Sequence, residues 1–148
     1  MGKIVRNSYK FNAKNINSYL APYEIVKQMR ASFYALGALL GRFGKAKVSL
    51  PGGCAIGVRP VDMHLSAFEQ MGAKIENENG YIDAYTENGL NGTEITFKKV
   101  SVGAAINVIL GAVLANGKTT IKNSAKEPDV VCFVDFLNKA GAKISGAG

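Results

Sequence analysis

The chain has 148 residues, 47% of them hydrophobic and 20% charged, and carries a formal net charge of +7 from 18 Lys and Arg against 11 Asp and Glu. That length fits one ordinary domain and that apolar content supplies a core, which excludes a disordered chain. No apolar run approaches the roughly 18 residues of a membrane helix, and the two cysteines, Cys54 and Cys132, stand far apart in neither Cys-x-x-Cys nor Cys/His spacing, which predicts no metal site and free thiols in a cytoplasmic setting. Met1-Gly2-Lys3-Ile4-Val5-Arg6 leads into a polar stretch, so neither a signal peptide nor a myristoyl anchor is expected. The basic excess suits acidic partners. The lysines are scattered and no nucleic-acid motif accompanies them, so small phosphorylated or carboxylated molecules fit better than nucleic acid.

In chain order, residues 8–20 alternate weakly through Tyr9, Phe11, Ile16 and Tyr19, and predict one or two strands. Pro22 then opens a helix over 23–41, with Ile25, Met29, Phe33, Leu36 and Leu40 at helical spacing and Arg30 at the edge of that face. A strand over 46–50 runs into a loop. A helix over 61–71 follows, with Val61, Leu65, Phe68 and Met71 inward, closed by Gly72. Strands are predicted at 73–76, 81–85 and 94–97. Ser101 caps a helix over 102–115 whose Val102, Ile106, Ile109, Leu110 and Val113 face inward. A strand at 119–121, a helix from Pro128 to Ala140 with Cys132 as a buried small hydrophobe, and a strand at 142–144 complete the chain.

The loop is Pro51-Gly52-Gly53-Cys54-Ala55-Ile56-Gly57-Val58-Arg59-Pro60. Prolines anchor its ends, glycines let its middle approach a ligand, and Pro60 suits the first position of the next helix, whose N–H groups attract anions. A thiol beside an arginine and a helix start is placed to ionise or to act as an acid; the plainer reading is a Gly/Pro turn with an incidental cysteine. An internal repeat bears on the choice. Leu36-Gly37-Ala38 recurs as Leu110-Gly111-Ala112, Gly72-Ala73-Lys74-Ile75 as Gly141-Ala142-Lys143-Ile144, and Arg59-Pro60 is answered by Glu127-Pro128. The second copy has the short Asn123-Ser124-Ala125-Lys126 where the first has its glycine-rich loop. The scaffold does not require the longer loop, which favours a grafted site.

Ala21-Pro22-Tyr23, Met29-Arg30-Ala31-Ser32, Leu50-Pro51-Gly52-Gly53-Cys54, Ile56-Gly57, Arg59-Pro60-Val61-Asp62-Met63-His64, Lys99-Val100-Ser101-Val102-Gly103-Ala104 and Glu127-Pro128 occur in that order. Together they resemble the UDP-N-acetylglucosamine enolpyruvyl transferases, the 1-carboxyvinyltransferases that begin peptidoglycan synthesis. The resemblance covers most of the chain. It implies an α/β fold of two domains, each an inside-out barrel of three repeated strand-and-helix units, with the site in the cleft between. This chain then corresponds to an incomplete barrel: residues 1–148 as a partial first domain, its repeats at roughly 23–85 and 94–146, the second domain absent. The family's N-terminal Lys-Asn segment and second-domain aspartate base have no counterpart here, so the isolated chain is expected not to turn over. The implied substrates are phosphoenolpyruvate and UDP-N-acetylglucosamine, with neither metal nor organic cofactor, and no nucleic-acid or membrane partner.

Residue by residue, the resemblance implies that Cys54 protonates the phosphoenolpyruvate methylene carbon, forms a covalent adduct and is the target of fosfomycin. A titratable thiol on a closing loop suits that work. It places Arg59 and Arg30 on the substrate anions, which a guanidinium fork fits; an ordinary surface ion pair is the alternative for each. Pro60, Val61, Asp62 and Met63 match one segment that holds the uridine nucleotide, and Lys99, Val100, Ser101, Val102 and Gly103 match another, with Ser101 either a phosphate seat, a plain helix cap, or both. Asp62 has a second reading as a favourable carboxylate at a helix start, and His64 stands as a secondary candidate. Two rivals remain: the sister 5-enolpyruvylshikimate-3-phosphate synthases, and a non-catalytic repeat module that binds through its basic face.

Overall fold

The computed structural model describes residues 4–5, 8–50 and 61–148. Two short antiparallel strands, β1 (Ile4–Val5) and β2 (Ser8–Tyr9), come first. β3 (Leu20–Ala21) is followed by α1 (Tyr23–Val26), a 3-10 helix (Arg30–Tyr34), α2 (Ala35–Phe43) and β4 (Lys45–Ser49). Next come α3 (Asp62–Gln70), β5 (Lys74–Glu78) and β6 (Tyr81–Tyr85). The remainder is β7 (Glu94–Thr96), α4 (Val102–Ala112), β8 (Thr120–Lys122) and α5 (Pro128–Lys139). No helix among the described residues is long and apolar enough to cross a membrane.

One sheet has the order β3-β4-β6-β5. β3 and β4 are parallel, which demands a crossover, and the helices 23–43 provide it. β6 inserts antiparallel between β4 and β5, pairing Val48 with Ile82 and Ala46 with Ala84. Those four side chains are fully buried, so the alternation along β6 sends Ile82 and Ala84 into the core and leaves Tyr81, Asp83 and Tyr85 half-buried. β7 and β8 form a second parallel pair, bridged by α4. The same order of parallel pair, crossover helix and second helix thus runs twice. Gly72 (φ 92°) and Gly141 (φ 105°) close α3 and α5 in the same left-handed conformation, which is why Gly-Ala-Lys-Ile recurs there.

The core forms where α2 lies against α4. A Cβ on Gly37 would fall well inside the contact distance of the Asn107 backbone oxygen, and one on Gly41 would sit 3.2 Å from that of Gly111. The recurring Leu-Gly-Ala therefore marks the crossing of two helices whose backbones nearly touch. Leu36, Leu40, Phe68 and Val108 fill the space around it.

The structure corrects four expectations. The helix over 23–41 is broken: Met29 is extended (φ −150°, ψ 124°), which resets the helical phase. Val26 takes the core position instead of Ile25, and Ile25 and Met29 are left 62% and 60% exposed. Cys132 is exposed rather than buried. α5 buries Val130 and Val134, one turn apart, and at 100° per residue Cys132 points to the other side. No strand forms at 142–144. Its counterpart β5 is held only by β6, and none of the described residues stands in that place; Asn138 instead clamps Ile144, donating to its carbonyl and accepting from its N–H at 2.9 Å each. On α4 Ile109 is buried as expected and Val102, Ile106 and Val113 pack half-buried against the core, but the fully buried positions are Ala104, Ala105, Asn107 and Val108, and Leu110 is only half-buried. Small side chains face the close crossing, and larger ones flank it.

Candidate functional site

Of the predicted site residues, Cys54, Arg59 and Pro60 lie outside the described residues. Their loop has described anchors: the Leu50 N–H donates to the Gly80 carbonyl at 2.8 Å at one end, and α3 begins at Asp62 at the other. Val61 is the N-cap of α3. Asp62 is exposed in the first turn and makes no capping hydrogen bond among the described residues; its carboxylate sits at the positive end of the helix dipole. Met63 is buried.

The first turns of α3 and α4 meet. Ser101 is extended (φ −150°, ψ 115°) and its hydroxyl accepts the Ala104 N–H at 3.3 Å. That cap satisfies one of the first-turn donors; in such a cap the Val102 and Gly103 N–H groups have no partner within the helix. Lys99 and Val100 are exposed just ahead of them. Gly103 keeps this turn open: a Cβ there would lie 3.6 Å from His64 Cε1, 3.7 Å from His64 Nε2 and 3.9 Å from Tyr34 Cε1. An imidazole and a phenol ring therefore wall the N-terminus of α4.

His64 is only 5% exposed. Its ring stands edge-on to Phe33, with centroids 5.4 Å apart, and Asn107 Nδ2 lies 2.9 Å from its Nδ1. Burial is the main reason its pKa falls to about 4; the nearby Arg30 guanidinium pushes the same way and Asp62 opposes them. The ring is therefore neutral at pH 7. Arg30 is exposed at the start of the 3-10 helix, and its charge reaches Tyr34 as well. The Tyr34 hydroxyl is held above its ordinary pKa by burial, with Arg30 opposing and Asp129 adding to the rise. Both rings thus present neutral groups beside one exposed guanidinium.

This arrangement brings together Arg30, Asp62, His64, Lys99, Ser101, Val102 and Gly103 around the paired helix starts. The chemistry it offers is anion binding: backbone donors with no partner in the helix, a helix dipole, two cationic side chains and a buried neutral ring. Two grooves of about 690 and 720 Å³ lie elsewhere, along β8 and residues 141–148, and among the described residues Val100 is the one predicted site residue that lines either. Sequence reasoning missed Tyr34 and Asn107. The signal for Asn107 was present, a lone amide within Ala104-Ala105-Ile106-Asn107-Val108-Ile109-Leu110.

The sequence profile of the EPSP synthase (3-phosphoshikimate 1-carboxyvinyltransferase) family matches residues 3–148, and the chain belongs to that family. Among its relatives is the UDP-N-acetylglucosamine 1-carboxyvinyltransferase of Vibrio parahaemolyticus, 55% identical over 147 residues, which are 99% of this chain and 35% of that one. The protein of the same name from Actinobacillus succinogenes is 58% identical over 137 residues, 93% of this chain and 33% of its own. The chain spans about a third of the length of the curated relatives it matches. In fold it is similar to the enolpyruvyl transferase NikO from Streptomyces tendae (TM-score 0.71, 22% identity, 88% of this chain and 31% of that one). It is also similar to EPSP synthase from Acinetobacter baumannii (TM-score 0.60, 19% identity, 80% and 27%). The fold class is therefore α/β of the enolpyruvyl transferase type, here an incomplete inside-out barrel.

Proposed function

We propose that this chain is part of a cytoplasmic enzyme that transfers the enolpyruvyl group of phosphoenolpyruvate to the 3′-hydroxyl of UDP-N-acetylglucosamine, the opening step of peptidoglycan synthesis. In this reading the sugar 3′-oxygen bonds to C2 of phosphoenolpyruvate while C3 takes a proton from the Cys54 thiol. The hydroxyl proton leaves to a base that the resemblance assigns to the second domain. Loss of a proton from C3 and of phosphate from C2 then restores the vinyl group. Arg59 and Arg30 hold the donor's anions. Residues 60–63 and 99–103 hold the uridine nucleotide, its diphosphate on the free N–H groups of α4. The observation that supports this most directly is the Ser101-capped start of α4, with Lys99 ahead of it and the start of α3 alongside. An anionic nucleotide has donors there without any rearrangement of the core. Neither metal nor organic cofactor enters the scheme.

The test is protection of Cys54 from alkylation, followed by peptide mapping. Cys132 is exposed and reacts too, so a Cys132→Ser background is used. UDP-N-acetylglucosamine should slow labelling of Cys54, and 3-phosphoshikimate should not. Protection by 3-phosphoshikimate alone would favour the sister reaction, and protection by neither would favour a non-catalytic module. The 148-residue chain on its own should release no phosphate from the two substrates.

A further inference from the structure

The buried amide of Asn107 takes no part in the scheme above, yet it is 0% exposed at the centre of the molecule and makes three hydrogen bonds. Its Oδ1 accepts the Gly37 backbone N–H at 2.8 Å, and its Nδ2 donates to the Phe33 carbonyl at 3.2 Å. A backbone N–H only donates and a backbone carbonyl only accepts, so the two partners fix which end of the amide is oxygen and which is nitrogen. The amide cannot be turned over without setting donor against donor and acceptor against acceptor in a buried place. One Nδ2 hydrogen is then left for His64 Nδ1 at 2.9 Å. A nitrogen that receives that hydrogen carries a lone pair, so in the neutral ring the proton sits on Nε2. Nε2 is the edge turned to Gly103 and the first turn of α4, and among the described residues it has no hydrogen-bond partner.

We infer that Asn107 is a positioning residue that locks His64 in the Nε2–H tautomer, so that a fixed, uncharged donor faces the oxygen of a phosphate seated at the N-terminus of α4. The lock itself rests on geometry alone; the phosphate half rests on the proposed nucleotide site. Burial beside Arg30 keeps the ring neutral and supports the same picture, with Asp62 the opposing charge on its own helix and Tyr34 the neighbouring titratable group. An uncharged donor adds direction at the seat, while Lys99 and the helix dipole supply the charge.

The chain has one histidine, so histidine-selective 15N labelling reports this ring alone. In two-bond 1H–15N spectra of the 148-residue chain at pH 7, Nε2 should be protonated and Nδ1 bare. A protonated Nδ1, or an averaged mixture of tautomers, would overturn the lock, and this needs no variant. Asn107→Asp keeps an oxygen for Gly37 but turns an acceptor toward the ring, and should move the proton to Nδ1; an unchanged spectrum in the folded variant would equally overturn it. With uridine diphosphate as probe, the Nε2–H resonance of the unaltered chain should shift, and Asn107→Asp should bind about tenfold more weakly. Binding that leaves Nε2–H unmoved would refute the phosphate half while the nucleotide site stands. No binding at all would refute the nucleotide site while the tautomer result stands.

Discussion

Replacing Gly37 by alanine should loosen the whole molecule, though alanine is ordinarily the better helix residue by about 1 kcal/mol. The added methyl would lie 2.6 Å from Asn107 Oδ1, 3.1 Å from its backbone carbon, and closer still to its backbone oxygen. Carbon needs roughly 3.5 Å, so α2 and α4 must separate by on the order of 1 Å. The nearest atoms are backbone of a buried helix, which has no rotamer with which to yield. Overpacking of this kind costs about 1–3 kcal/mol. Separation also strips the Gly37 N–H from Asn107, and a buried donor left unmade costs about 1–3 kcal/mol more. Set against the helix gain, the net loss is about 1–5 kcal/mol, a sizeable share of the roughly 5–15 kcal/mol that holds a domain folded. Urea unfolding should show a midpoint lower by on the order of 1 M. Gly41→Ala is the control: its methyl meets Gly111 and Leu110 at 3.2–3.3 Å, a conflict of a few tenths of an ångström that the helix gain roughly offsets. A Gly37→Ala chain as stable as the unaltered one would refute the close crossing, and with it the packing derived for α2 and α4.

The pH dependence of stability should carry the signature of His64. Its pKa is near 6.5 unfolded and about 4 folded, so the unfolded chain takes up a proton first as pH falls. Stability from this group is full above pH 6.5 and declines to about pH 4, by about 3 kcal/mol, and His64→Gln should flatten that limb of a urea-midpoint profile. Ser101→Ala removes the acceptor of the Ala104 N–H and should lower stability by about 1 kcal/mol, whereas Ser101→Asn should retain most of it; equal midpoints for the two variants would contradict the cap.

Much of the fold was legible because burial imposes periods on the chain. The alternation over 81–85 became β6, the serine before an apolar run became a cap, and the glycine after each repeated helix adopted the left-handed conformation. The failures have a common cause. Ile25 and Met29 fit one helical face with Phe33, Leu36 and Leu40, but local spacing cannot register a phase reset whose gain, the burial of Val26, is tertiary. Cys132 lay in an apolar run, and the run did not say which third of the helix met the core. The strand at 142–144 had the composition of β5 without a partner of the kind β6 provides.

The candidate site divides along the same line. Lys99, Ser101 and Asp62 act through the helix starts next to them in sequence, so sequence alone could nominate them. Asn107 acts on Gly37, Phe33 and His64, which are 70, 74 and 43 residues away, and no spacing rule joins them. Only the helix crossing does, and it exists because Gly37 has no side chain. The glycine that lets α2 approach α4 also gives Asn107 the N–H that orients its amide, and the amide's orientation fixes the proton on His64. Core packing and site chemistry are therefore one structure here. The Gly37→Ala chain should accordingly show, beyond its lower urea midpoint, a histidine spectrum in which Nε2 no longer holds the proton exclusively. A destabilised variant that kept the single Nε2–H tautomer would separate the two, and would mean that Phe33 alone is enough to orient Asn107.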